Sequence, residues 1–254
     1  MPNMNNLTEM PRKDLHVFYV LDTSGSMAGQ KIQTLNSAMR QTTDALVEVA
    51  KKNGDAKLKI AVLEFNSGCR WITDHGPEAV EDFVYEDLSA DGGTNLALAL
   101  NELNSKLSRH AFLDSMAGAF MPVIIFMTDG YTSSYTNELE EIRKNPWFRR
   151  ATKIGFALGD GADVKMVASV VGNSEAVIQT DDMELFKKLI RFVSVTASML
   201  VSQSATTNTT YTGADIVQRA EVPKDATVNL SKAEYSPEPE APTDDADWDN
   251  DANW

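Results

Sequence analysis

Apolar segments of two kinds alternate along the chain. Residues 15–21 are apolar almost without interruption, a pattern typical of a strand that is covered on both faces of a parallel sheet. In residues 30–51 the apolar side chains recur at spacings of three, four and seven, which predicts an amphipathic helix that ends at Asn53-Gly54. The two patterns then repeat. They predict further strands at 58–65, 69–73, 122–127, 153–158 and 176–179, and further helices at 95–107, 164–171 and 181–201.

The alternation of strands and helices predicts an α/β fold. A doubly wound, mostly parallel central sheet with helices on both faces accommodates this order of elements. Residues 69–73 are the exception, because the short turn Asn66-Ser67-Gly68 predicts a hairpin and therefore one short antiparallel edge strand. We expect an N-terminal extension at 1–13, a single domain at 14–201, and a Ser/Thr-rich linker with an acidic tail at 202–254.

Oxygen-bearing side chains lie at the ends of several predicted elements. Asp22, Ser24 and Ser26 follow the first strand at a spacing of two. Thr94 precedes the helix at 95–107, and Asp129 follows the strand at 122–127. Taken singly, these residues are explained by helix caps and turns. Because ligands of doubly wound sheets collect at the carboxyl ends of the strands, the three loops together predict one shared site.

Three hydroxyls and two carboxylates are suitable ligands for a hard divalent cation. We expect Mg²⁺, which binds oxygen ligands and gives up its water reluctantly, with Mn²⁺ and Ca²⁺ as alternatives. Neutral hydroxyls offset little of the charge of such an ion, which would therefore keep one position for a stronger ligand. The expected ligand is an Asp or Glu side chain of a partner protein.

The pattern resembles the metal-ion-dependent adhesion site of von Willebrand factor A-type (VWA) domains. In that family an Asp-x-Ser-x-Ser loop, a distant Thr and a distant Asp hold the ion, and they correspond here to Asp22, Ser24, Ser26, Thr94 and Asp129. The resemblance covers about residues 14–201. It implies a VWA, Rossmann-like fold that binds proteins through the ion.

Residues 17–27 resemble, more narrowly, the short bacterial cytosolic proteins of the tellurium-resistance Y (TerY-like) type. This resemblance implies a non-enzymatic adaptor in a bacterial stress or defence signalling complex, with kinase-like or phosphatase proteins as partners. Within the same domain family, the alternative is a regulatory subunit of an AAA-type ATPase complex, such as a chelatase or a chaperone. By analogy with relatives, a shift of the helix at 181–201 would accompany partner binding.

A metal-dependent phosphohydrolase is the alternative from another functional class. A phosphatase with Asp22 as its nucleophile would need a general acid two residues later, where Ser24 cannot transfer a proton at neutral pH. The sequence also has no Gly-x-x-x-x-Gly-Lys-Ser/Thr loop for nucleotide hydrolysis. We therefore expect the protein not to be an enzyme.

Composition narrows the classes of partner. The 254 residues carry a net charge of -14, which repels nucleic acid and anionic membrane surfaces. The sequence lacks an apolar run of about 18 residues, and residues 1–14 do not resemble a signal peptide, so we expect a cytoplasmic protein. The single cysteine, Cys69, cannot form a disulfide within the chain, which agrees with a reducing compartment.

The C-terminal tail contains a short repeat. The sequence Asp245-Ala246-Asp247-Trp248 recurs almost unchanged as Asp251-Ala252-Asn253-Trp254. Such an acidic segment with few apolar residues predicts disorder, and solubility is one explanation of it. Trp248 and Trp254, flanked by Asp247 and Asp251, are also candidate anchors for a second partner. In a third alternative, a tail aspartate occupies the open position of the metal until a partner displaces it.

Overall fold

A central sheet organises the computed structural model, which describes residues 12–73, 75–113, 119–132, 134–207, 209–228, 230–231 and 234–237. Within 204–207 only the backbone is described. The sheet of these described ranges has seven strands: β1 (Lys13–Asp22), β2 (Ala56–Phe65), β3 (Cys69–Trp71), β4 (Glu78–Ala79), β5 (Val123–Thr128), β6 (Thr152–Leu158) and β7 (Val177–Thr180).

The strand order reverses next to the first strand. It is β3-β2-β1-β5-β6-β7, with β4 paired to β2. The strands β2, β1, β5, β6 and β7 are parallel, whereas β3 and β4 are antiparallel to β2. The chain extends the sheet from β1 to β2 on one side and then crosses to β5 on the other. A binding crevice of a doubly wound sheet is expected at this reversal, outside the carboxyl ends of β1 and β5.

Helices cover both faces of the sheet. They are α1 (Gln30–Lys52), α2 (Leu96–Lys106), α3 (Thr136–Ile142), α4 (Pro146–Arg150), α5 (Val164–Val171), α6 (Met183–Thr207) and α7 (Gly213–Arg219). Alternate residues of β1 point to opposite faces, so Tyr19 and Leu21 belong to one apolar cluster and Phe18 and Val20 to another. The first cluster includes residues of α1, α6 and α7, and the second includes residues of α2, α4 and α5.

The predicted fold class is confirmed. The predicted long elements are present with ends that differ by a few residues, and the helix at 164–171 has the predicted bounds. The structure adds β4, α3 and α4, which the apolar pattern did not predict. These elements have two, seven and five residues, too few for a repeat of three or four residues to be recognised. A signal for α4 was nevertheless present, because Asn145 caps the helix and Pro146 occupies its first turn.

The structure also differs from the prediction after residue 201. The last predicted helix continues to Thr207, and α7 follows within the segment that we expected to be disordered. Thr212 and Asp215 form a capping box at the start of α7, and Ile216 and Val217 are buried against the first apolar cluster. Two adjacent apolar residues behind a capping box were the sequence signal for this helix. The division at 14–201 stays a prediction.

The candidate tail residues Trp248, Trp254, Asp247 and Asp251 lie outside the described residues. In the described part of the chain, none of the helices combines the length and the apolar character needed to cross a membrane. The cytoplasmic location stays a prediction.

His16 is a titratable side chain buried within the sheet. It is 1% exposed, and among the described residues neither ring nitrogen has a hydrogen-bond partner. Burial, together with the charge of Lys59, lowers the pKa of His16 from 6.5 to about 4, against a smaller opposing effect of Asp14. Between these two pH values the unfolded chain therefore binds a proton that the folded protein does not bind.

We expect the free energy of unfolding to decrease because of His16 when the pH falls from 7.5 to 4.5. The decrease attributable to this residue is about 2 to 3 kcal/mol, since each pKa unit corresponds to about 1.4 kcal/mol. Urea unfolding at the two pH values should show a smaller decrease for His16→Leu than for the wild type. Equal decreases would contradict the assignment of this titration to His16.

Gly213 allows α7 to pack against the sheet. A Cβ atom at this position would lie 1.8 Å from the carbonyl oxygen of Lys153. We expect Gly213→Ala to lower the free energy of unfolding by about 2 kcal/mol, because α7 would have to move away. Gly161→Ala is the control, since a Cβ at Gly161 has no neighbour within 4 Å. Urea unfolding that gives the same stability for both variants would contradict this explanation.

Candidate metal centre

Asp22 and Ser24 are held at the buried end of β1. The side chains of both residues are almost completely inaccessible. The backbone N–H of Ser24 donates to Asp22 Oδ1 at 2.8 Å, which fixes the turn that follows the strand. A single 3-10 turn over Gly25–Met27 comes next, and Met27 is buried in the first apolar cluster. Because Met27 is buried, it fixes the position of the neighbouring Ser26, although Ser26 itself is exposed.

The loop after β1 packs directly on the segment that contains Thr94. The N–H of Gly25 donates to the carbonyl oxygen of Gly92 at 2.9 Å, and a Cβ at Gly25 would lie only 3.2 Å from that oxygen. A side chain at position 25 would therefore require this oxygen to move by a few tenths of an ångström. The N–H of Asp91 donates to Thr23 O at 2.9 Å in the same contact. These backbone bonds fix Thr94 beside the first loop.

Thr94 precedes α2, as the sequence predicted. The cap of this helix is the next residue, Asn95, whose side chain accepts from the N–H of Leu98 at 3.2 Å. The N–H of Asn95 also donates to Asn66 O at 2.7 Å. Since Asn95 provides the cap, the hydroxyl of Thr94 is not used to begin the helix.

The end of β5 contributes two adjacent polar residues. Thr128 is fully buried, and its hydroxyl donates to Asp22 Oδ2. The side chain of Asp129 is also fully buried, and its Oδ1 accepts from Ser26 Oγ at 2.6 Å. Ser26 Oγ in turn lies 3.0 Å from Ser24 Oγ. Thr128 was not predicted as a site residue, although it orients one of the predicted carboxylates.

The five predicted residues converge on one point. A Cβ atom placed on Gly130 would lie 3.4 Å from Thr94 Oγ1, 3.7 Å from Ser26 Oγ and 3.9 Å from Asp22 Oδ2. Ser24 and Asp129 join the same group through their contacts with Ser26. The absence of a side chain at Gly130 thus leaves space among oxygen atoms that come from three loops. The assignment of these residues as metal ligands stays a prediction.

Two ionised carboxylates are unfavourable in this group of oxygens, because the group is buried and because the two charges repel each other. Burial is the main cause that raises the pKa of Asp22, and the charge of Asp129 adds to it. Hydrogen bonds from Ser24 and Thr128 act in the opposite direction. The ammonium group of Lys31, near the start of α1, forms an ion pair with Asp129 Oδ2. A cation at the site would favour the ionised form of Asp22.

The donor chemistry fits a hard divalent cation. The group contains carboxylate and hydroxyl oxygens, which such ions prefer. In the described ranges, His, Cys, Asp and Glu side chains form no group of three or more that could hold a metal ion. The five predicted ligands comprise three hydroxyls and two carboxylates, so a metal at this place would be held mainly by neutral oxygens.

Comparison with known proteins gives the domain type. Residues 17–132 match the family model of the von Willebrand factor type A domain. The matched segment is of the VWA type, and the fold of the chain is VWA-like. The matched segment begins in β1 and ends just after Asp129, so it includes all five predicted ligands and Lys31.

Solved structures with the same fold come from varied sources. A von Willebrand factor type A protein from Catenulispora acidiphila is 18% identical, with a TM-score of 0.53 over 72% of this chain and 42% of that chain. The minor pilin PilB from Streptococcus sanguinis is 14% identical, with a TM-score of 0.54 over 75% of this chain and 62% of the pilin chain. Proximal thread matrix protein 1 from the mussel byssus is 16% identical, with a TM-score of 0.51 over 75% of this chain and 47% of the matrix protein chain.

At these identities the similarity shows the fold alone. The chain spans about two fifths to three fifths of the length of these solved chains. The narrower resemblance to TerY-like proteins stays a prediction.

We expect Gly130→Ala to weaken binding of Mg²⁺ by at least about tenfold, equivalent to about 1.4 kcal/mol. The added methyl group would fill the space among the oxygens without removing any of them. The measurement is the Mg²⁺-dependent rise in melting temperature, supported by isothermal titration calorimetry. Gly54→Ala is the control, because a Cβ at Gly54 meets no atom within 4 Å. Unchanged affinity in Gly130→Ala would place the ion elsewhere.

Proposed function

We propose that this protein is a non-enzymatic, metal-dependent adaptor that binds an acidic side chain of a partner protein. Mg²⁺ is the expected ion, with Mn²⁺ and Ca²⁺ as alternatives. The residues that would hold it are Asp22, Ser24, Ser26, Thr94 and Asp129. The observation that carries the proposal is the convergence of their oxygens around the space beside Gly130. The VWA domain type supports it.

The exposure of the ligands indicates the side from which a partner would approach. Asp22, Ser24 and Asp129 are buried, whereas Ser26 is exposed and Thr94 is partly exposed. Access is therefore from the side of the two hydroxyls. A bound ion would supply a Lewis-acidic position there for a carboxylate oxygen.

Two exposed apolar residues are close in sequence to the proposed ligands. Tyr131 is 68% exposed and follows Asp129 by two residues. Leu98 is 41% exposed and lies in the first turn of α2, four residues after Thr94. The hydroxyl of Thr132 donates to Thr94 O at 3.2 Å, which joins the two segments. Exposed aromatic side chains are frequent anchors in protein interfaces, so we propose a partner that presents an acidic residue beside an apolar one.

The geometry offers little support for the phosphohydrolase alternative. His16 lies six residues before Asp22 on the same strand, which corresponds to about 20 Å. At that distance its imidazole is too far away to act as a base beside Asp22.

The narrower biological role is proposed from the resemblance of residues 17–27. In this role the protein would be a TerY-like adaptor of the cytoplasm. It would act in a bacterial stress or defence signalling complex together with kinase-like or phosphatase proteins. The acidic tail with Trp248 and Trp254 would recruit a second partner. A regulatory subunit of an AAA-type ATPase complex remains the alternative, which recovery of a hexameric ATPase as the partner would favour.

We expect the partner to be lost when Mg²⁺ is replaced by a chelator, and equally in Asp22→Asn, because either change removes the ion. The measurement is co-purification from cells with and without chelator, followed by affinity measurement with the recovered partner. Asp44→Asn is the matched control, since Asp44 is an exposed carboxylate on α1 outside the loops of the site. Retention of the partner in chelator would contradict the proposal. So would turnover of a phosphate ester by the purified chain alone.

We also expect Tyr131→Ala to weaken partner binding by about tenfold or more, without a change in Mg²⁺ affinity, because the side chain is exposed beside the site. Titration calorimetry can measure both affinities. Phe192→Ala provides the control, since Phe192 is 42% exposed on α6. A similar loss of affinity in both variants would argue against a specific role for Tyr131.

A further inference from the structure

Lys31 brings a positive charge into the candidate metal centre. Its ammonium group contacts Asp129 Oδ2 and lies 3.5 Å from the carbonyl oxygen of Ser26. The Asp129 side chain is fully buried, whereas that of Lys31 is 33% exposed. The lysine thus covers a buried carboxylate from the solvent side.

The fold places this lysine through several elements. Lys31 is the second residue of α1, which begins just after the loop that contains Ser24 and Ser26. A Cβ on Gly159, in the loop after β6, would lie 4.0 Å from both Cε and Nζ of Lys31. The side chain therefore extends from α1 across the loop after β6 to the end of β5. Its position follows from the packing of three separate segments.

The ion pair leaves neither oxygen of Asp129 without a contact. Oδ1 accepts from Ser26 Oγ, and Oδ2 accepts from Lys31 Nζ. Two carboxylates and one ammonium give the group of Asp22, Asp129 and Lys31 a formal charge of -1. A divalent ion would bring the same group to +1, whereas without the lysine it would reach zero.

We propose that Lys31 is a resident counter-ion that competes with the divalent ion for Asp129 and, once the ion is bound, strengthens the attraction for a carboxylate. This inference rests on the proposed function, because it concerns the same site. Electrostatic repulsion between the ammonium and the ion weakens metal binding. The ammonium remains tethered near the site by α1, so its charge adds to that of the ion when an acidic ligand approaches. One side chain thus has opposite effects on the two binding steps.

The experiment compares Lys31→Met and Lys31→Gln with the wild type. Both variants remove the charge, and Gln keeps N–H donors in case Met disturbs the fold. Lys52→Met is the matched control, because it removes the same charge from the other end of α1, about 31 Å away. Binding of Mn²⁺ is measured by electron paramagnetic resonance. Acetate is the carboxylate probe, detected by its effect on the relaxation of water protons by bound Mn²⁺.

We expect both Lys31 variants to bind Mn²⁺ about threefold to thirtyfold more tightly and to bind acetate more weakly by a similar factor. Lys52→Met should change neither quantity by more than about twofold. If the wild type binds Mn²⁺ and the Lys31 variants bind it equally or less tightly, the inference about Lys31 is overturned, but the proposed function is not. The same holds if acetate binding does not weaken in the variants. Failure of every protein, wild type included, to bind Mn²⁺ would overturn the proposed function and this inference with it.

Unfolding measurements in the presence of a chelator test the ion pair between Lys31 and Asp129 independently of metal binding. A double-mutant cycle of Lys31→Met and Asp129→Asn should show coupling in the free energy of unfolding, because Lys31 compensates a buried carboxylate. Additive effects of the two substitutions would overturn the role of Lys31 as a counter-ion.

Discussion

The parallel pairing of β1 with β5 is the interaction on which the candidate site depends. Its register sets Leu21 opposite Met127, so Asp22 and Thr128 follow at the same level and the threonine hydroxyl reaches the carboxylate. All residues of β1 except Lys13 are buried. A slip by one residue would turn each of these side chains to the other face of the sheet, and Asp22 would no longer lie level with Thr128. The loops after β1 and β5 therefore begin from fixed positions.

Given these fixed positions, the site brings carboxylates into a buried environment. Burying a charge is costly unless hydrogen bonds or an opposite charge compensate it. Asp22 accepts from Ser24 N–H and from the hydroxyl of Thr128, and Asp129 accepts from Ser26 and Lys31. Every one of these donors comes from a loop or an element end next to the β1–β5 pair. The hydroxyl of Ser26, one of the proposed metal ligands, thus also stabilises the buried carboxylate of Asp129.

The sequence predicted the features that depend on local spacing. The long strands and helices were predicted because their apolar residues repeat often enough to define a period, whereas α3, α4 and α7 are too short. The loop that begins at Asp22 was predicted because its oxygens are adjacent in the chain. Thr128 and Lys31 were not predicted, because their contacts with Asp22 and Asp129 depend on strand register and on the direction of α1. Neither property can be derived from spacing.

The charge of the whole protein and the charge of the site have opposite effects on an acidic partner. A net charge of -14 repels such a partner at long range, but at physiological salt this repulsion extends only about 8 Å. At the site, a divalent ion together with Lys31 would exceed the charge of the two carboxylates. Attraction would then be confined to the immediate surroundings of Ser26 and Thr94, the more exposed of the proposed ligands. An acidic surface with one small positive centre favours a partner whose carboxylate can reach that centre, and it disfavours binding of acidic proteins elsewhere on the molecule.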